Sequence, residues 1–218
     1  MDFDAVVNTR RSVRGFFRDR LVPEPLLREA LELAQRAPSN CNVQPWRVFI
    51  ASGARRDLLS AELTKAALER GGAEQVTEKF SGDYRTLQIA CAVELYSKMG
   101  VAREDLAGRK AAFLRNYTFF DAPHVAFICM DRSFGVGVAL DVGTYLQTLM
   151  LALCSRGVQS CAQAALCRYE DVTQRVLGID ENLRILCGLS FGYEDPQAAA
   201  NQARQSRLPI SKNVNILT

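Results

Sequence analysis

VGVALDVGTYLQTLMLALC (residues 136–154) decides the fold class, because it admits two incompatible readings. It comes close to the roughly 20 apolar residues that cross a bilayer. Asp141, Thr144, Gln147 and Thr148 interrupt it, however, and polar groups are costly in hydrocarbon. A helix at the centre of a soluble fold accounts for both the apolar run and its interruptions. No membrane association is expected.

Outward from this helix the chain alternates between helical and extended patterns. Upstream, WRVFIAS and HVAFICM read as strands, the second preceded by Pro123. Downstream, VQSCAQ and LRILCGLSFG read as strands around a helix in YEDVTQRVLG. Phe3, Val6 and Val7 mark a short N-terminal helix capped by Asp2. PEPLLREALELAQRA carries Leu27, Leu31 and Ala34 on one face and ends before Pro38. ARRDLLSAELTKAALER, closed by Gly71 and Gly72, is a further helix, as are YRTLQIACAVELYSKM and REDLAGRKAAFLRNY. The tail LPISKNVNIL shows no helical period. About four strands among about seven helices give an α+β fold, a mixed α/β sheet flanked by helices on both faces. There is no repeat, low-complexity tract or linker, so residues 1–218 read as a single domain.

Composition narrows the function. The chain has 218 residues, 48% hydrophobic and 23% charged, the balance of a soluble globular protein. A net charge of +3 argues against a nucleic-acid binder. Seven cysteines without a C-x-x-C pair, and a single histidine at His124, argue against zinc. Cysteines scattered through apolar segments fit a reducing compartment, and MDFDAVVNT lacks a signal-peptide pattern, so a cytoplasmic protein is expected.

The common catalytic signatures fail. No P-loop is present, and GVGVAL has Leu140 where a dinucleotide loop needs its third glycine. GLSFG (residues 188–192) fits the G-x-S-x-G nucleophile elbow, but no histidine follows it and no helix opens after it. Without a catalytic constellation, enzymatic chemistry would have to come from a cofactor.

Three stretches remain. RRSVRGF places Arg10, Arg11 and Arg14 around Ser12, a donor set suited to a phosphate monoester, or else a solvated charged face. APSNCNVQPW offers Ser39, Asn40, Asn42 and Gln44 in a proline-bounded loop, amides able to meet the edge of a heteroaromatic ring. NQARQSRLPI adds Arg204 and Arg207 near the C-terminus.

Together these stretches resemble the FMN-dependent nitroreductase family. RRSVRGF followed by APSNCNVQPW is similar to its N-terminal signature. SRLPI is similar to its phosphate-binding arginine, and LCGLSFGYEDP to the strand before that tail. The resemblance implies a homodimer with two FMN sites at the subunit interface. It implies that Arg10, Arg11, Ser12 and Arg14 hold the FMN phosphate and ribityl chain, with Arg207 closing on the phosphate. Pro38, Ser39, Asn40 and Asn42 would reach the flavin from the other subunit. Gln163, Ala164 and Ala165 would lie near its reactive edge, and Gln147 on the central dimer helix. Where many members carry a lysine two residues before the terminal arginine, this chain has Gln205, which leaves either Arg204 or Gln205 to assist Arg207. The implied activity is NAD(P)H-dependent, two-electron, ping-pong reduction of nitroaromatics to nitroso and hydroxylamino products, the flavin carrying the chemistry and no side chain acting as catalyst. Tyr117, Phe119 and Phe120 either wall the substrate pocket or pack the core. The alternatives are a flavin-dependent dehalogenase of halogenated tyrosines or phenols, a quinone or flavin reductase on the same fold, and a non-catalytic binder of a phosphorylated ligand.

Overall fold

A computed structural model describes residues 2–71 and 80–218. Helix α1 (Phe3–Thr9) opens on Asp2, whose side chain accepts the Ala5 N–H at 2.8 Å. Then come α2 (Glu24–Ala34), β1 (Arg47–Ser52), α3 (Gly53–Glu69), α4 (Gly82–Lys98), α5 (Leu106–Leu114), β2 (His124–Asp131), α6 (Val136–Ser155), β3 (Gln159–Gln163), α7 (Glu170–Leu177) and β4 (Leu183–Gly192). The expected strands and helices are all present. Gly71 follows α3 with φ +73°, and Gly72 lies outside the described residues.

The strands form one sheet in the order β1-β2-β4-β3. All its ladders are antiparallel. The mixed character expected of the sheet is confined to one parallel bridge, between Ser12 and Ser160. β2 is buried along nearly its whole length because it is covered on both sides. Successive side chains of a strand face opposite ways, so Val125, Phe127 and Cys129 join one core while Ala126, Ile128 and Met130 join the other. The first core is closed by α3 and α7 through Leu59, Leu63, Val172 and Val176. The second is closed by α2 and α6 through Ala30, Ala34, Tyr145 and Leu149, with Trp46 stacked on Tyr145 at 5.0 Å.

The same parity disposes of the nucleophile elbow. Ser190 is fully buried within β4, and its hydroxyl donates to Gln163 Oε1. His124 stacks on Phe191, the next residue of β4, and so faces the opposite side of the sheet. Its Nε2 accepts the Val22 N–H at 3.0 Å, which places the proton of the neutral ring on Nδ1, beside Ser52 Oγ. Burial holds this imidazole below its ordinary pKa. His124 is therefore a clasp between β1, β2 and the strand-free segment before α2.

One boundary departs from the sequence pattern. The helix expected through Tyr117 stops at Leu114, and Phe119, Phe120 and Asp121 then turn with φ of 59°, 54° and 67°. Non-glycine residues rarely adopt such angles, and a tertiary contact holds them here. Buried Arg56 donates from Nε to the Ala122 carbonyl (3.0 Å) and from Nη2 to the Thr118 carbonyl (2.6 Å), bracketing the turn.

Candidate active site

The arginine stretch leaves α1 at Arg10, whose N–H donates to the Val6 carbonyl at 2.9 Å. Val13 and Phe16 are buried and anchor it. The Val13 N–H reaches Ser160 O (3.1 Å) and the Phe16 N–H reaches Phe120 O (3.1 Å). This apolar anchoring leaves Arg10, Arg11, Ser12 and Arg14 half-buried beside β3. Among the described residues one carboxylate pairs with the three guanidinium groups. Glu194 pairs with Nη2 of Arg11, while Nη1 of Arg11 is buried without a hydrogen-bond partner. Arg14 Nη1 has a single long contact, to Ser12 O at 3.5 Å. A buried donor without an acceptor costs roughly 1–3 kcal/mol, so the free Nη1 of Arg11 is a donor able to meet an anion.

The segment after β4 braces this stretch. Phe17 N–H donates to Tyr193 O and Asp195 N–H to Gly15 O, each at 3.0 Å. Asn201 adds a side-chain bond, its Oδ1 accepting the Arg14 N–H at 2.7 Å. The Asn201 carbonyl accepts from Arg204 Nη1 at 2.6 Å, while the Arg204 N–H donates to Glu94 Oε1 on α4 at 2.9 Å. Gln205 turns away, its amide donating to Cys91 O on α4 at 3.2 Å. Arg207 lies exposed, its Nη1 within 3.1 Å of the Gln205 and Ser206 carbonyls.

The amide-rich loop is carried by α6. Asp141 Oδ2 accepts the Asn40 N–H at 3.0 Å, and Thr144 Oγ1 donates to Pro38 O at 3.1 Å. Ser39 Oγ accepts the Gln44 N–H at 3.0 Å. Cys41, Asn42 and Gln44 have φ of 49°, 55° and 48°, so these contacts hold a loop that would otherwise relax. Pro38, Asn40 and Asn42 are exposed, and so is Gln147, one turn beyond Thr144. No hydrogen bond or ion pair among the described residues joins this loop to the arginine stretch.

A family model described as the Nitroreductase family matches residues 7–193. The chain belongs to the nitroreductase family. This nitroreductase is 39% identical over 219 residues to nitroreductase NfnB of Mycolicibacterium smegmatis, covering 96% of this chain and 90% of the relative. It is 32% identical over 222 residues to a 4-nitrobenzoate reductase of Nocardioides sp. (strain LMS-CY), covering 99% and 90%. The crystal structure of the FMN-dependent nitroreductase NfnB from Mycobacterium smegmatis in complex with NADPH shares its fold with a TM-score of 0.92 at 37% identity, covering 99% of this chain and 97% of that one. The match to the family model contains the arginine stretch and the amide loop, and ends before Arg204 and Arg207.

Two groups of expected site residues have side chains engaged within the fold. Tyr117, Phe119 and Phe120 are buried in the core under α3, where the left-handed turn folds their rings inward, so they present no face to a flat ligand. Burial also pushes the Tyr117 hydroxyl up to about 12. The Gln163 side chain is likewise consumed, donating from Nε2 to Asn116 O and Oδ1 at 3.1 Å each. Only the backbone there, with exposed Ala164 and half-exposed Ala165, is free to meet a ligand. Asp141, Thr144, Glu194 and Asn201 were not singled out as site residues in the sequence. The interruptions of the apolar helix were the available signal for the first two.

Proposed function

We propose that this nitroreductase is an FMN-dependent NAD(P)H oxidoreductase that reduces nitroaromatic compounds. The observation that carries the reading is the buried, unbonded Nη1 of Arg11 within an under-neutralised arginine cluster, a fit for the phosphate of FMN. When bound, FMN supplies the transfer of electrons from NAD(P)H to the nitro group. The chain supplies binding and orientation. Arg10, Arg11, Ser12 and Arg14 would hold the phosphate and ribityl chain, with Arg204 and Arg207 adding positive charge. Pro38, Ser39, Asn40, Asn42 and Gln147 would meet the flavin from a second copy, and the backbone of Ala164 and Ala165 would lie near its ring. The relatives named as a nitroreductase and a 4-nitrobenzoate reductase support nitroarenes as the substrate class.

A homodimer fits the surface. On α6, Val136 is 89% exposed and Leu140 72%, although the opposite face of the helix is core. By length and composition this helix could span a membrane. The hydrogen bonds of Asp141 and Thr144 to the amide loop favour a second protein copy over lipid as its cover. Ile210, Ile216 and Leu217 in the tail are also exposed and apolar. All seven cysteines are free, in keeping with a reducing, cytoplasmic setting.

The test is anaerobic. The purified protein should be yellow, bleach with NADH or NADPH, and regain colour with 4-nitrobenzoate. A colourless protein, or a halotyrosine consumed faster than any nitroarene, would overturn the reading.

A further inference from the structure

We propose that Asn201 is a positioning residue that sets the geometry of the phosphate cradle by locking the arginine stretch to the segment that carries Arg204; the proposal rests on the FMN-phosphate reading above. Asn201 is 1% exposed and its side-chain amide is fully engaged. Oδ1 accepts the Arg14 N–H at 2.7 Å, while Nδ2 donates to Gly15 O (2.8 Å) and to Asp195 O (2.9 Å). Its own carbonyl holds Arg204 Nη1 at 2.6 Å. One residue thus touches both basic stretches, which lie at opposite ends of the sequence.

The chemistry requires an amide. Aspartate would keep the acceptor for Arg14 but set a carboxylate oxygen against the Gly15 and Asp195 carbonyls. Alanine would leave the Arg14 N–H without its partner. An independent observation points to the same junction. A Cβ on Gly15 would sit 2.2 Å from Ala198 Cβ and 3.2 Å from Asn201 Nδ2, so the two segments approach closely only because residue 15 has no side chain. The Arg11–Glu194 pair spans the same seam one turn of chain away. Asn201 is not expected to touch FMN. It acts through Arg14, whose backbone direction fixes where the guanidinium points, and through Arg204.

The experiment compares FMN with riboflavin, which lacks the phosphate. Apoprotein of the wild type and of Asn201→Ala, Gly15→Ala and Arg14→Ala is titrated with each flavin by fluorescence quenching. Oligomeric state and circular dichroism are measured in parallel. Asn201→Ala and Gly15→Ala should each weaken FMN binding by about tenfold or more, the loss of one charge-assisted contact, while riboflavin binding stays near wild type. Gly15→Ala opens the seam without removing a polar atom, so it carries the test if Asn201→Ala does not fold. A parallel loss of both flavins, or no loss in either variant, overturns the role of Asn201. A wild type that binds both flavins equally, or an Arg14→Ala variant with an unchanged FMN-to-riboflavin ratio, overturns the phosphate reading and the proposal with it.

Discussion

Asp141 accepts the backbone N–H of Asn40 at 3.0 Å, across 101 residues of sequence. The bond ties the amide loop to α6, the helix whose other face closes a core. The carboxylate is only half-buried and pairs with no cation among the described residues, so its removal tests the loop with little effect on the fold. Asp141→Ala should lower the melting temperature by only about 2–4 °C, the effect of roughly 1 kcal/mol in a domain of this size. It should cut nitroarene turnover more than that loss explains, because the left-handed residues Cys41, Asn42 and Gln44 lose their tether. Wild-type turnover at saturating flavin would show that the loop holds without the Asp141 carboxylate.

The arginine cluster makes a charge prediction. Arg11→Ala or Arg14→Ala should weaken FMN retention by about 1.5–3 kcal/mol if each donates a charge-assisted bond. Arg207→Ala should cost less, because that side chain is exposed and screened. The flavin-to-protein ratio after dilution and gel filtration measures the order. Wild-type retention in Arg11→Ala and Arg14→Ala would remove the phosphate assignment.

His124 predicts a pH dependence of stability. Its folded-state pKa lies below the ordinary 6.5, because burial disfavours the cation and Nε2 must stay unprotonated to accept from Val22. The unfolded chain takes up the proton first, so the stabilisation is complete above about pH 6.5. It declines as pH falls from there to the depressed folded value, at no more than about 1.4 kcal/mol per pH unit. Denaturant midpoints of wild type and His124→Gln should therefore converge as pH drops from about 7.5 to about 5.5. Parallel curves would mean that the imidazole does not govern this window.

The cysteines divide by environment. Cys129 and Cys167 are pushed up to about 12 and Cys187 to about 11 by burial, and Cys154 and Cys161 are raised for the same reason. Thiolate is the reactive form, so these should resist a maleimide at neutral pH. Cys41 and Cys91 are exposed and should react. Because Cys41 sits in the amide loop, added FMN should slow its labelling and leave Cys91 unaffected. Mass spectrometry of labelled peptides reads both, and equal protection of the two would separate Cys41 from the flavin.

The sequence revealed elements better than contacts. β2 was legible because a strand covered on both faces is apolar throughout, and Arg10 to Arg14 because like charges so close need an explanation. The early end of α5 was not legible. Its cause is Arg56, far away in sequence, whose donors bracket a turn that local preference would not form. The rings of Tyr117, Phe119 and Phe120 were ambiguous for the same reason, since an aromatic run reads alike as pocket or core until the backbone is placed. Asn201 gave no signal, because an amide beside other polar residues in NQARQS looks like any solvated segment.

The junction of the first and last segments also governs the order in which the protein can form. Val13 and Phe17 draw their backbone partners from Ser160 and Tyr193, and Arg14 draws its partner from Asn201. A ribosome delivers the last of those partners about 190 residues after it has made the stretch itself. The N-terminal basic stretch therefore emerges early and stays unplaced while most of the chain is made. A nascent chain stalled before Tyr193 lacks the backbone partners of Phe17 and Arg14, so the seam that braces the arginine stretch can close only after residues 193–201 have been made.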